Sequence, residues 1–85
     1  MRLFNFLFSY AYYILKGVYM KVLTKREKEI FELLVKNKTT REIGDILFIS
    51  EKTVRNHISN VIGKLGVVGR SQAIIELIRM EEIFL

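Results

Sequence analysis

Two Thr-Xaa-Xaa-Glu boxes, Thr24-Lys25-Arg26-Glu27 and Thr39-Thr40-Arg41-Glu42, stand fifteen residues apart. In such a box the threonine hydroxyl accepts from a free amide of the first turn while the glutamate reaches back to the cap, so each box opens a helix. The first helix and its turn must therefore fit into that interval. Behind the first box Ile30, Leu33 and Leu34 fall on one helical face with Phe31 at its edge, and the run ends at Lys36-Asn37-Lys38. Asn37 is a residue that tolerates the left-handed geometry that closes a helix. Behind the second box, Ile43, Ile46 and Leu47 supply the apolar contacts of a helix about two turns long, and Gly44 leaves room for a neighbouring helix.

Phe48-Ile49-Ser50 follows with neither proline nor glycine, so the connection is short, and Ser50 is placed to cap a third helix. Two helices joined by so tight a turn form a helix-turn-helix candidate. The third helix, Glu51 to about Leu65, sorts its residues cleanly at 100° per residue. Val54, Ile58, Val61 and Leu65 form a buried stripe; Lys52, Arg55, Asn56, Ser59 and Gly63 form the opposite row, which carries donors, small residues and positive charge and no carboxylate. Arginine and asparagine pair bidentately with guanine and adenine edges, so that row suits a major groove, with Arg55 and Asn56 as base readers. Lys52, Thr53 and Lys64, with Thr39 and Thr40 at the start of the second helix, are placed as phosphate contacts that set register. A solvated face is the competing reading of any polar stripe.

Gly66 ends the third helix, and a fourth runs from about Gly69-Arg70-Ser71 to Met80. Ala73, Leu77 and Met80 share one face and Ile74, Ile75 and Ile78 an adjoining one, leaving Gln72, Glu76 and Arg79 as the polar stripe. That apolar arc is wider than packing in one small domain requires. It predicts a symmetric dimer through Ile74, Ile75 and Ile78, with two third helices about 34 to 36 Å apart on an inverted repeat. Coverage of the same face by the chain's own N-terminal segment is the alternative.

Composition narrows the function classes. Eighty-five residues with 51% hydrophobic and 27% charged residues support one globular domain. There is no cysteine and a single histidine, which leaves no disulfide framework, no cluster of metal ligands and no conventional catalytic triad, so no enzyme and no cofactor are expected and the cytoplasm is the default compartment. A net charge of +5 calls for an anionic partner, nucleic acid or an anionic membrane surface.

Residues 1–19 form an apolar, aromatic extension with a helical pattern and only Arg2 and Lys16 as charges, followed by a domain over 20–85. The apolar run from Leu3 to Leu15 is roughly 20 Å long as a helix, short of a bilayer core. No small-residue cleavage site follows it, which disfavours a secretory signal. The extension reads as upstream of a true start at Met20, as a partner-binding helix, or as a membrane-surface helix.

From Leu23 onward the runs LTKREKEIFELL, TTREI, FISEKTVRNHISN, KLGV and GRSQA resemble the LuxR/GerE-type helix-turn-helix, over about residues 21 to 82. The resemblance implies an all-α, four-helix DNA-binding domain like the LuxR C-terminal module, preceded here by the apolar segment. It implies a transcription regulator whose third helix reads the major groove and whose fourth mediates dimerisation. It assigns groove contacts to Arg55, Asn56 and Ser59 and backbone contacts to Lys52, Thr53 and Lys64. His57 falls at a family histidine position, as a phosphate contact or a partly buried, hydrogen-bonded ring. Implied partners are double-stranded DNA with inverted-repeat half-sites, a second copy of the chain and RNA polymerase. Asn37 departs from a common glycine and Gly44 from the usual alanine. The competing function is a membrane-associated interaction protein anchored by the N-terminal helix.

Overall fold

The structure is a computed structural model that describes residues 21–85, so the apolar extension expected over 1–19 lies outside the described residues. Four helices follow one another: α1 Lys25–Val35, α2 Thr40–Leu47, α3 Glu51–Leu65 and α4 Arg70–Arg79. Their starts are the ones the capping chemistry dictates. Both threonine boxes are closed reciprocally, Thr24 with Glu27 and Thr39 with Glu42, and the Ser50 hydroxyl accepts from the Thr53 amide.

Left-handed residues end the helices. Asn37 (φ 67°) closes α1, where its amide donates to Leu34 and that of Lys38 to Leu33. Gly66 (φ 67°) closes α3 in the same manner. Between α2 and α3 the left-handed position is taken by Phe48 (φ 59°, ψ 42°), whose ring is 94% exposed. A side chain in that region costs about 1 to 2 kcal/mol. The turn is tight because the Phe48 and Ile49 amides both fold back onto Gly44 O. Gly44 leaves room for this turn and for the start of α3: a Cβ there would lie 2.7 Å from Ile49 O and 3.5 Å from Glu51 N, so a larger side chain would push the turn apart.

α3 packs against all three other helices, and its stripe of Val54, Ile58, Val61 and Leu65 is the floor of the core. Around it lie Ile30, Phe31, Ile43, Leu77 and Ile83, each buried. Three helix faces differ from the expectation. Phe31 is the centre of the α1 face, beside Ile30 and a buried Glu27, while Leu33 and Leu34 are only half-buried. On α2, Ile43 and Gly44 point inward and Ile46 is 46% exposed, because so short a helix meets α3 along a single turn. On α4, Glu76 is buried beside Ala73 and Leu77 instead of lying in an outer polar stripe.

The ends of the domain are joined by a polar clasp. The Glu82 carboxylate, buried in the C-terminal tail, accepts from the Val22 amide at 2.8 and 3.1 Å and from the Leu23 amide at 3.1 Å. From the other side, Lys64 Nζ donates to Val22 O at 3.0 Å and to Glu27 Oε1 at 2.5 Å. The residues that lead into α1 are thus held by α3 and by the tail. Glu82→Ala leaves buried amides without an acceptor and is expected to cost about 2 to 3 kcal/mol in a urea unfolding titration, against less than about 0.5 kcal/mol for exposed Glu81→Ala.

Candidate nucleic-acid interface

Packing of the α3 stripe inward dictates what faces outward. Lys52, Arg55, Asn56, Ser59 and Gly63 are all exposed, and Asn60 joins them one turn beyond Asn56. Among the described residues, the side chains of Lys52, Asn56, Ser59 and Asn60 make no hydrogen bond or ion pair, so their polar atoms are free for a ligand.

Arg55 is different. Its NH2 donates to Glu51 Oε2 at 2.9 Å, and the same oxygen accepts from the Thr40 hydroxyl at 2.7 Å. A carboxylate therefore does reach the row, from the first residue of α3, and it joins α3 to the start of α2. The Thr40 hydroxyl holds the Glu51 carboxyl below the ordinary range; partial burial opposes this, and the charges of Arg55 and Arg41 add to it. Arg41, an exposed residue of α2, follows Thr40 at the same corner.

The remaining sites expected from the sequence divide in two. Thr39 Oγ1 accepts from the Glu42 amide, which leaves its hydroxyl proton to donate outward at the start of α2. Thr53 is half-buried and shares a hydrogen bond of 2.8 Å with Ser50. His57 is half-buried, and among the described residues its ring has no hydrogen-bond partner, so the expected bonded ring is not formed. Thr40 and Lys64 are drawn away from the surface row. The Thr40 hydroxyl is spent on Glu51, and the Lys64 ammonium is held by Glu27 and Val22 O at the far end of α3.

Arg41, Asn60 and Glu51 were not singled out from the sequence. Asn60 lies four residues from Asn56 and was open to the same periodicity argument. Arg41 and Glu51 became visible only when α2 was set against α3.

The α4 face is partly open. Ile75 is 51% exposed, whereas Ile74 and Ile78 are half-buried against the core. Val68, Phe84 and Leu85 are further large apolar side chains left exposed.

Comparison with known proteins gives this arrangement its lineage. Residues 21–77 match the family described as bacterial regulatory proteins, luxR family. The chain belongs to the LuxR family. It is 71% identical over 62 residues to the spore germination protein GerE of Bacillus subtilis (strain 168), covering 73% of this chain and 84% of that protein. The solved structure of the transcription factor GerE is similar with a TM-score of 0.75 at 62% identity, over 76% of this chain and 97% of the solved one. The transcriptional regulatory protein DegU of Brevibacillus brevis is 45% identical over 60 residues, which span 71% of this chain and 25% of DegU. As a LuxR-family, GerE-like protein the chain is a helix-turn-helix, DNA-binding transcription regulator and not an enzyme. Among the described residues no helix is long and apolar enough to cross a membrane.

The carboxylates of this LuxR-family domain are expected to tie its stability to pH. Burial works to raise the Glu27 carboxyl, but the bonds from Lys64 and the Thr24 amide, with the Lys64 charge, outweigh it and leave it low. Glu42 is lowered chiefly by the Thr39 amide, and Glu51 as described. All three sit below the usual 4.5 in the folded state, so just under that value the unfolded chain binds more protons. Their contribution is complete above about pH 4.5 and is lost as the pH falls through the folded-state values. Urea midpoints are expected to drop below that pH, and Glu27→Gln is expected to be less stable at neutrality with a shallower acid limb.

Proposed function

We propose that the chain binds duplex DNA as a symmetric dimer, with α3 of each copy in a major groove. Arg55, Asn56 and Ser59 meet base edges, and Lys52, Thr53, His57 and the N-terminal turn of α2 around Thr39, Thr40 and Arg41 meet phosphates. Thr40 would contribute its backbone amide, since its hydroxyl is engaged. The observation that carries the reading is the exposed row on α3, in which Lys52, Asn56, Ser59 and Asn60 are unengaged among the described residues and Arg55 keeps free donors beside its bond to Glu51, the whole backed by four buried side chains. Membership of a DNA-binding family supports it. Lys64 is left out of the contact set, because two of its three N–H donors already serve the fold.

Ile75, flanked by Ile74 and Ile78, is the proposed dimer seam on α4, and the exposed apolar residues nearby in sequence support a partner surface. A two-fold axis there predicts half-sites in inverted repeat, about 34 to 36 Å apart. The 71% identity to a spore germination protein supports gene control in a spore-forming cell as the setting, with the cytoplasm as the compartment and RNA polymerase as a further partner. The membrane-associated alternative rests on residues 1–19, and nothing among the described residues favours it.

Binding to a duplex selected from a random pool tests the groove contacts. Arg55→Ala is expected to cost about 1 to 3 kcal/mol and to relax preference at one base position, while Lys52→Ala weakens all duplexes alike and reduces the salt slope by about 1. Equal losses on selected and random duplexes for both variants would reject the assignment. For the seam, Ile75→Glu is expected to yield a folded monomer by sedimentation with poor operator affinity; an unchanged sedimentation coefficient would remove the dimer from the proposal.

A further inference from the structure

Glu51 is an unexpected residue at a surface meant for phosphates. A carboxylate there repels the nucleic-acid backbone and lowers affinity for every sequence. The other two low-titrating carboxylates are explained by their caps, Glu27 by Thr24 and Glu42 by Thr39. Glu51 reaches back to no cap; a single oxygen, Oε2, takes the Thr40 hydroxyl and one Arg55 nitrogen. Nor does stability account for the pair, because its side chains are 39% and 61% exposed and such surface ion pairs contribute little.

What the pair does is geometric. Thr40 is 9% exposed, so its hydroxyl ties the carboxylate to the body of α2 and keeps it from swinging with solvent. A guanidinium has five N–H donors in a planar fork. With NH2 held by Glu51, the donors on the other edge stay free for the two acceptors of a guanine. A flexible arginine would otherwise lose its rotamer freedom at the moment of binding and could meet more than one base edge.

We propose that Glu51 is a positioning residue for base recognition: pinned by Thr40, it presets the direction in which Arg55 meets a base and sharpens discrimination at one base pair of each half-site. The inference rests on Arg55 being a base reader. It makes Glu51 a residue that gives up general affinity in return for selectivity, the reverse of what a merely structural residue does.

The test uses the 85-residue chain, a duplex selected by the unchanged protein, single-base variants of that duplex, and random duplex. Thermal unfolding confirms that Glu51→Gln and Glu51→Ala fold; should the alanine variant not, the glutamine variant carries the measurement. Discrimination is expected to fall about three- to tenfold at one base pair, the one at which Arg55→Ala also loses preference, while random duplex is bound as tightly or more tightly. The Glu51→Gln/Arg55→Ala double variant should discriminate no worse than Arg55→Ala alone. Uniform weakening on all duplexes, or undiminished discrimination, overturns the positioning role while Arg55 still reads its base. If Arg55→Ala itself leaves every preference intact, the base-reader assignment falls and takes this inference with it.

Discussion

The structure depends on one helix having to face two ways. Val54, Ile58, Val61 and Leu65 commit one side of α3 to the core, where α1, α2 and α4 all rest on it. That burial sets the rotation of the helix about its own axis, and the rotation decides which side chains remain outside. Packing from behind thereby orients the backbone of the whole outward row. Any slip of the inner stripe would carry Arg55 and Asn56 with it, so core packing and the make-up of the outward surface are a single constraint.

Charges are arranged to serve that constraint. The net excess of +5 is not a diffuse coat. Glu27 and Glu42 are occupied by helix caps, Glu82 by the amides of Val22 and Leu23, and Glu51 by Thr40 and Arg55. Lys64 is drawn inward by Glu27, whereas Lys52 has no ion-pair partner among the described residues and stands exposed beside Arg55 and Asn56. The turn between α2 and α3 shows the same priority: Phe48 accepts a left-handed backbone and full exposure so that Ser50 can begin α3 immediately. Such local strain is sustained only because the surrounding contacts fix the angle between the two helices.

Helix starts were legible because capping is local chemistry. Thr24, Thr39 and Ser50 act within three residues of themselves, and Asn37 and Gly66 close helices by their own backbone preference. The inner stripe of α3 was legible because fifteen residues give a periodic pattern four apolar positions to repeat in. Short or mixed faces were not. Phe31 lies about 100° to one side of Ile30 on α1 and Leu33 about 60° to the other, so periodicity could not say which flank turns inward, and on α2 only contact with α3 turns Ile43 inward and leaves Ile46 outside.

The amino-acid sequence by itself determined where the helices begin and end, that they are helices, and which face of α3 is apolar, since each of these is fixed by interactions between residues at most four apart. Tertiary structure alone decided the roles of the charged groups. Lys64 found Glu27 only when α1 was laid against α3, Glu82 acquired its partners sixty residues away, and Glu51 met Thr40 only once α2 was docked on α3. The physical reason is that a charge takes its function from whatever opposite charge or dipole the fold carries within a few ångströms, and sequence spacing holds no record of that distance.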